Sequence, residues 1–339
     1  MRKSARNSSE NQKWLISPAA LIVCGPTAVG KSDFAVTLAL KMQKLYCVVC
    51  EIVSADSRQV YKGLDVGSGK ITKKEMQGVP HHMLDVANPR RTLYSAGKFA
   101  HDGAVAVRTI LGRGHFPIIV GGSGFYIEAL ENKLLGKAPL PEVPKNAKLR
   151  AELAKLPVAE LAARLAALDP RRYAEIDIQN PVRLIRAIEI ASALGKVPER
   201  ENENKTPVNA DTSHTSPLFH LIKIGLDTDD VTLRARIDTR LARRMPGIIK
   251  EVRKLRGIGA ATNKSKPLSW KRLDELGLEY RHVAQFLKLQ SAGAEQNKNK
   301  GTAEARQKMT AELAMAIWHF AKRQRTWFKR DKMIRWIKV

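Results

Sequence analysis

The chain has 339 residues, 44% of them hydrophobic, with 59 lysines and arginines against 33 acidic residues and a formal net charge of +26. That apolar content excludes wholesale disorder, and the length allows a core that needs no disulfide or metal staple. The charge points to a polyanionic partner, nucleic acid or an anionic membrane surface, and the last third of the chain carries more than half of the excess. The longest apolar stretch, 14–24, is broken by Ser17 and Pro18. It falls short of the roughly 20 residues a membrane span requires. No signal-cleavage region follows it. Nucleic acid is therefore the preferred partner and no membrane is expected. Three cysteines form no disulfide framework and suit a reducing cytoplasm. Cys47 and Cys50 have the spacing of half a redox or zinc site, but no cysteine follows. They read as two buried thiols beside a strand.

Residues 1–17 are polar and read as a disordered tail. Apolar runs at 20–24, 51–54, 82–86, 116–120 and 220–225 read as strands, with helical patterns at 33–43 and 96–111 between them. The alternation implies an α/β fold whose parallel sheet is covered on both faces. From 141 to 195 the spacing becomes helical: 149–168 reads as one helix and 181–194 as another, a helical insertion. A polar connector follows at 196–217. Leu233, Ile237, Leu241, Ile248, Val252 and Leu255 mark a helix that Pro246 should kink. Loops are expected at 264–266 and 292–301, a final helix at 303–328 and a short strand at 333–339. On that helix Leu313, Ile317, Phe320 and Trp327 form the expected buried stripe, ringed by Lys322, Arg323, Arg325, Lys329 and Arg330. The expected domains are the tail (1–17), the first part of a phosphate-loop core (18–140), the insertion with its connector (141–219) and the completion of the core (220–339).

Gly25, Pro26, Thr27, Ala28, Val29, Gly30, Lys31 and Ser32 match G-x-x-x-x-G-K-[ST] between an expected strand and helix. In such a loop backbone N–H groups converge on phosphate oxygens at a helix N-terminus. Lys31 would add a point charge and Ser32 could ligate Mg²⁺. The usual user of this loop is an ATPase or kinase. However, the strand at 116–120 ends in Gly121-Gly-Ser-Gly124 rather than in an acid, whereas Asp56 ends a different strand. A small-molecule kinase can also place its acid there and stays open. Plainer readings exist for several residues. Asp56 could cap the following turn, Gly121 and Gly122 could only make a tight strand exit, and His81 with His82 could be structural rather than metal ligands. Arg183 and Arg186, three apart on one helix face, could be solvated charges.

In chain order, the phosphate loop is followed by Asp56-Ser-Arg-Gln-Val-Tyr-Lys-Gly-Leu-Asp-Val-Gly-Ser-Gly-Lys70 and Val79-Pro-His-His-Met-Leu-Asp85. Then come Val120-Gly-Gly-Ser-Gly-Phe-Tyr-Ile127, Asn180-Pro-Val-Arg-Leu-Ile-Arg-Ala-Ile-Glu189 and Ala321-Lys-Arg-Gln-Arg-Thr-Trp-Phe328. Together they resemble the tRNA dimethylallyltransferase family over about 19–330. The resemblance implies transfer of a dimethylallyl group from dimethylallyl diphosphate to N6 of adenosine 37, beside the anticodon of tRNA. It further implies a phosphate loop that holds an isoprenoid diphosphate rather than ATP, with Mg²⁺, in a cytoplasmic monomer.

By the same resemblance Asp56 is the general base and Thr27 contacts the bridging oxygen of the diphosphate. The loop 25–32 and Arg240 bind the diphosphate. Contacts to the anticodon stem-loop fall to Asp56, Ser57, Arg58, Gln59, Ser123, Lys148, Val182, Arg183, Leu184, Ile185, Arg186, Tyr280, Arg281, Lys322, Arg323 and Gln324. The chain departs from the pattern in four places: Ser68 and Ser123 stand for threonines, Lys148 stands for an arginine that follows the Pro-Leu-Pro segment, and Leu276-Gly-Leu-Glu-Tyr-Arg281 replaces a Gly-Tyr-Arg/Lys segment. The absence of cysteine after Cys50 resembles the short bacterial form, without a zinc finger. The chemistry is coherent. An adenine amine is a weak nucleophile that a carboxylate can deprotonate as the N–C bond forms, and a leaving diphosphate needs N–H donors and cations. An adenylate isopentenyltransferase, a small-molecule kinase and a non-enzymatic RNA-binding protein are the alternatives.

Overall fold

The computed structural model describes residues 19–91, 93–137, 141, 143–198, 219–258, 266–292 and 300–339. The chain divides into two compact units, Met1–Leu135 with Ser216–Val339, and Gly136–Thr215. The first unit opens with β1 (Ala19–Cys24), α1 (Lys31–Tyr46), β2 (Cys50–Ser54), α2 (Lys73–Met76), β3 (His81–His82), α3 (Ala96–Gly112), β4 (Phe116–Gly121) and α4 (Gly124–Leu134). The second unit holds α5 (Ala147–Leu153), α6 (Val158–Leu168), α7 (Pro170–Glu175) and α8 (Pro181–Leu194). The first unit resumes with β5 (His220–Asp227), α9 (Asp230–Arg256), α10 (Trp270–Leu276), α11 (Leu278–Ala292), α12 (Lys300–Phe328) and β6 (Arg335–Lys338).

The six strands form one parallel sheet in the order β3-β2-β4-β1-β5-β6. Leu21 of β1 is in register with Ile118 of β4 and Ile222 of β5. Five of the six residues of β1 and all of β2 are buried, because helices cover both faces and neither can be polar. Side-chain caps start the helices: Ser95 accepts from Lys98 N, Asp229 from Thr232 N and Ser269 from Arg272 N. In the second unit Leu153, Leu161, Leu165, Leu184, Ile188 and Val197 share one core. Beside it the buried Glu189 is held by Arg150, Arg186 and the Asn146 amide.

Several expectations change. The strand expected at 82–86 stops at His82, because Met83 (φ 64°) and Asp85 (φ 57°) turn left-handed. Asp85 instead meets Lys70 Nζ at 2.6 Å. The single helix expected over 149–168 is two, since Pro157 has no N–H to donate and instead N-caps α6. α9 is one helix with Pro246 inside it, where the apolar spacing placed it. Helix α1 outruns its expected end by three residues, so Cys47 becomes its left-handed C-cap and is exposed, whereas Cys50 is buried as expected. The short helices α2, α4 and α7 and the pair α10 and α11 stand outside the expected elements. The stripe of α12 passes through Leu313, Ile317, Ala321, Gln324 and Phe328. Phe320 and Trp327 flank it, half-buried. The expected tail, most of the connector and most of both loops lie outside the described residues. Among the described residues no helix is long and apolar enough to cross a membrane.

Candidate active site

A cleft of about 710 Å³ opens along the C-terminal ends of β1, β2 and β4. Open parallel sheets place their ligands there. Its walls belong wholly to the first unit. The phosphate loop supplies Thr27, Ala28, Gly30, Lys31 and Ser32. The end of β2 supplies Ser54, Asp56 and Gln59, and the 65–70 loop supplies Ser68 and Gly69. Helix α9 contributes Arg236, Thr239, Arg240 and Arg243. The sheet therefore gathers onto one cleft, from more than two hundred positions of sequence, the cations Lys31, Arg236, Arg240 and Arg243 and the carboxylates Asp33, Asp56 and Glu75.

Lys31 donates to Pro26 O at 2.7 Å, and burial pushes its ammonium down to about 8, against the pull of Asp56. Arg236 donates to Val29 O at 3.2 Å and Arg240 to Gly69 O at 3.4 Å. Beside Arg240, Arg244 is lowered to about 10, by burial first and by Arg240 second, and its Nη2 is buried without a partner. On the cleft walls Lys31, Arg236, Arg240 and Arg243 outnumber Asp33, Asp56 and Glu75, a surplus of positive charge. Such a surface suits a polyanion such as a diphosphate.

Asp56 follows β2. Its Oδ1 accepts from the amides of Arg58 at 2.8 Å and Gln59 at 3.3 Å. The capping role and a place on the cleft are both real. The Ser57 amide donates to Ser123 Oγ at 3.0 Å, which ties the exit of β4 to the Asp56 turn. Gln59 receives Ser54 Oγ at 3.2 Å and donates to Gly69 O at 3.3 Å. Ser32, Ser54 and Asp56 give the cleft hard oxygen donors of the kind Mg²⁺ takes. Among the described residues no cluster of three His, Cys, Asp or Glu could hold a metal alone.

The other residues singled out from the sequence divide. Gln324 is buried, accepts from Thr27 N at 2.8 Å and donates to Gly122 O at 2.7 Å. It braces the phosphate loop rather than facing outward. Tyr280 is fully buried and its hydroxyl donates to Glu251 at 2.8 Å, so it presents nothing to RNA. Arg281 is exposed and donates to Asp274 O. Lys322 and Arg323 are exposed on α12, over the Trp318 and Phe320 rings. Arg325 is bound to Asp227, Asp230 and Thr228 O, so it is not an outward cation like its neighbours.

In the second unit Lys148, Val182 and Arg183 are exposed and Ile185 half-buried. Leu184 belongs to the core there, and Arg186 is held by Glu189 at 2.7 Å. His82 and His115 both meet Glu51, and His81 meets Val79 O. Sequence reasoning overlooked Arg243, Arg244 and Glu251. The recurrence of charge at 236, 240, 244 and 251 on one helix was the available signal.

Comparison with known proteins follows the same lines. Residues 59–331 match the family described as IPP transferase. The chain is 37% identical over 314 residues to tRNA dimethylallyltransferase 2 of Citrifermentans bemidjiense, covering 92% of this chain and 87% of that protein. It is 33% identical over 336 residues to tRNA dimethylallyltransferase of Pelotomaculum thermopropionicum, covering 98% and 93%. The crystal structure of full-length tRNA isopentenylpyrophosphate transferase from Bacillus halodurans superposes with a TM-score of 0.59 at 28% identity, covering 95% of this chain and 90% of that one. A eukaryotic dimethylallyltransferase acting on tRNA shares the fold, with a TM-score of 0.66 at 18% identity over 95% of this chain and 74% of that one. Alike in sequence over nearly its whole length and in the architecture of its sheet, the chain belongs to the tRNA dimethylallyltransferase, or IPP transferase, family.

Proposed function

We propose that the protein transfers the dimethylallyl group of dimethylallyl diphosphate to N6 of adenosine 37 in tRNA. The observation that carries this reading is the meeting, on one cleft, of a phosphate loop, an α9 arginine row and the Asp56 carboxylate that follows β2. The loop amides, Lys31 and Arg240 would hold the diphosphate and stabilise the charge that grows on it as the C–O bond breaks. Thr27 would lie at its bridging oxygen. Asp56, with Oδ1 fixed by two amides, would take the proton from the adenine amine as the new N–C bond forms. Mg²⁺, held by Ser32 with the diphosphate itself, would supply further charge neutralisation of the leaving group. The exposed Lys148, Arg183, Arg281, Lys322 and Arg323 are the residues proposed to meet RNA phosphates. Division into a phosphate-loop core and a helical insertion, a cytoplasmic location and a monomeric state complete the proposal.

The test is incubation with unmodified tRNA, dimethylallyl diphosphate and Mg²⁺, followed by nucleoside mass spectrometry. An adenosine bearing one dimethylallyl group at position 37 is expected. Prenylation of free adenylate in preference to tRNA, or phosphoryl transfer from ATP, would replace the proposal with one of its rivals.

A further inference from the structure

The 65–69 loop lies along one face of α9. Arg240, Arg244, Gly247 and Glu251 follow one another at spacings of four, three and four, which places them in a row. Each touches the loop. The guanidinium groups of Arg240 and Arg244 crowd Gly69 so closely that a Cβ there would collide with Arg240 Nη2. Gly247 is the small residue that admits the Val66 side chain, 2.9 Å from where a Cβ would lie. Glu251 closes the row. Its Oε2 accepts from the amides of Asp65 at 2.8 Å and Val66 at 2.7 Å, and its Oε1 from that of Gly67 at 2.9 Å. Behind it Tyr280 donates to the same Oε1 and lays its ring over Gly67, leaving no room for a side chain there.

Three consecutive amides pointing at one carboxylate form a concave donor nest, the arrangement that elsewhere binds free anions. Here a side chain of the protein fills it permanently. The loop so fixed carries a carbonyl with two consequential partners. Gly69 O accepts from Arg240, the arginine proposed for the diphosphate, and from Gln59, in the turn that Asp56 caps. One carbonyl therefore sets two sides of the cleft.

We infer that Glu251, backed by Tyr280, is a positioning residue for diphosphate binding, clamping the 65–69 loop so that Gly69 holds Arg240 and Gln59 in place. The inference rests on the proposed use of the cleft by a diphosphate. It also gives Tyr280 a role different from the RNA contact that the family resemblance implied. The mechanism is preorganisation: a loop that must be ordered on binding lowers apparent affinity by the fraction of time it is out of place.

The direction of the effect separates positioning from bulk electrostatics. Glu251→Gln removes a negative charge near a cationic cleft, which alone would strengthen the binding of an anion. The clamp predicts the reverse. Glutamine keeps one acceptor oxygen but turns an N–H₂ group toward at least one of the loop amides. Inorganic diphosphate, titrated calorimetrically with Mg²⁺, should bind Glu251→Gln about tenfold more weakly than the parent, on the scale of missing charge-assisted hydrogen bonds. KM for dimethylallyl diphosphate should rise alongside it while KM for tRNA stays within about twofold. Amides 65–67 should exchange hydrogen faster. Tyr280→Phe keeps the ring over Gly67 and deletes one donor, so it should move the same quantities by about threefold and decides the matter should Glu251→Gln not fold. Glu275→Gln, which removes a carboxylate paired with Arg272 on α10, should leave all of them unchanged.

Unchanged or tighter diphosphate binding by folded variants would overturn the inference. So would a rise in KM for tRNA alone, which would return this segment to RNA recognition. A parent protein that binds inorganic diphosphate but prenylates nothing would sink the proposed function instead, and the calorimetric comparison would still judge the clamp.

Discussion

Asp56 both caps a turn and is proposed as a base, and two substitutions separate these uses. Asp56→Asn keeps a side-chain oxygen for the Arg58 and Gln59 amides but no longer takes a proton. It should melt near the parent temperature and lose about 10²- to 10⁴-fold in single-turnover transfer. Asp56→Ala should lose the turn as well and melt lower. An Asn variant that keeps most of its rate would remove Asp56 from the base role. Lys31 gives a pH test. Its folded pKa is about 8 against 10.5 in its ordinary state. Binding of inorganic diphosphate, which favours the charged ammonium, should weaken as pH rises through 8, and Lys31→Gln should flatten that dependence. For stability the sign is opposite to that of a paired lysine. Between pH 8 and 10.5 the folded state holds fewer protons than the unfolded one. Lys31 therefore costs stability below pH 8, and the cost is relieved as pH rises through that window.

At the level of elements, β2 is fixed at its start by charge as well as by apolar packing. Glu51 is buried there, within 2.5 Å of His82 Nε2, 2.6 Å of His115 Nδ1 and 2.7 Å of Arg113 Nη2. Burial alone would raise its carboxyl, but the hydrogen bonds of His115, Arg113 and His82 outweigh it and hold the group at about 2. The depressed pKa stabilises the fold above pH 4.5, and that stabilisation is lost as pH falls toward 2. Glu51→Gln should cost about 2 kcal/mol near neutrality, because it removes the buried acceptor charge shared by the partly exposed Arg113, His82 and His115. Urea unfolding of parent and variant should converge as pH drops from 4.5 to 2; a constant gap would mean packing rather than charge. Helix α12 needs a similar distinction. Arg325 joins it to the β5–α9 turn through Asp227, Asp230 and Thr228 O, so Arg325→Gln should lower the melting temperature. Arg323 and Lys329 are exposed and should not affect it.

For the molecule as a whole the net charge of +26 is the dominant electrostatic fact. Affinity for tRNA should fall steeply with salt through counterion release. Replacing Arg323 and Lys329 by Gln should lower the slope of log K against log salt by about 0.7–0.9 for each phosphate left without its cation, and the affinity for dimethylallyl diphosphate should stay the same. Binding isotherms at several salt concentrations give the slope directly. Equal slopes for parent and variant would make this charge a solvated face.

The phosphate loop, the acid after β2 and the sheet were legible because each is local: a glycine-spaced octapeptide, an apolar run flanked by turn chemistry, a strand–helix alternation. The left-handed stop at Met83 and Asp85 left a weaker mark, and so an apolar run read as a longer strand. Short helices such as α10 were missed although Leu268, Leu273 and Leu276 are buried, because so few turns show little periodicity. The uses of polar side chains were less legible still. Arg323 and Arg325 are two residues apart and equally basic, yet one faces solvent and the other ends among Asp227, Asp230 and a carbonyl. Tyr280 and Gln324, expected from the family resemblance to contact RNA, lie buried in the fold, one against Glu251 and the other between Thr27 and Gly122. A side chain's partner is set by elements that can be 297 positions away, as Gln324 is from Thr27. Sequence by itself determined the chemistry available to this protein, since residue type and local spacing carry it. Only the tertiary structure decided which of those groups face a cleft, which face solvent and which are spent holding a loop in place, because burial and hydrogen-bond partnership are properties of packing.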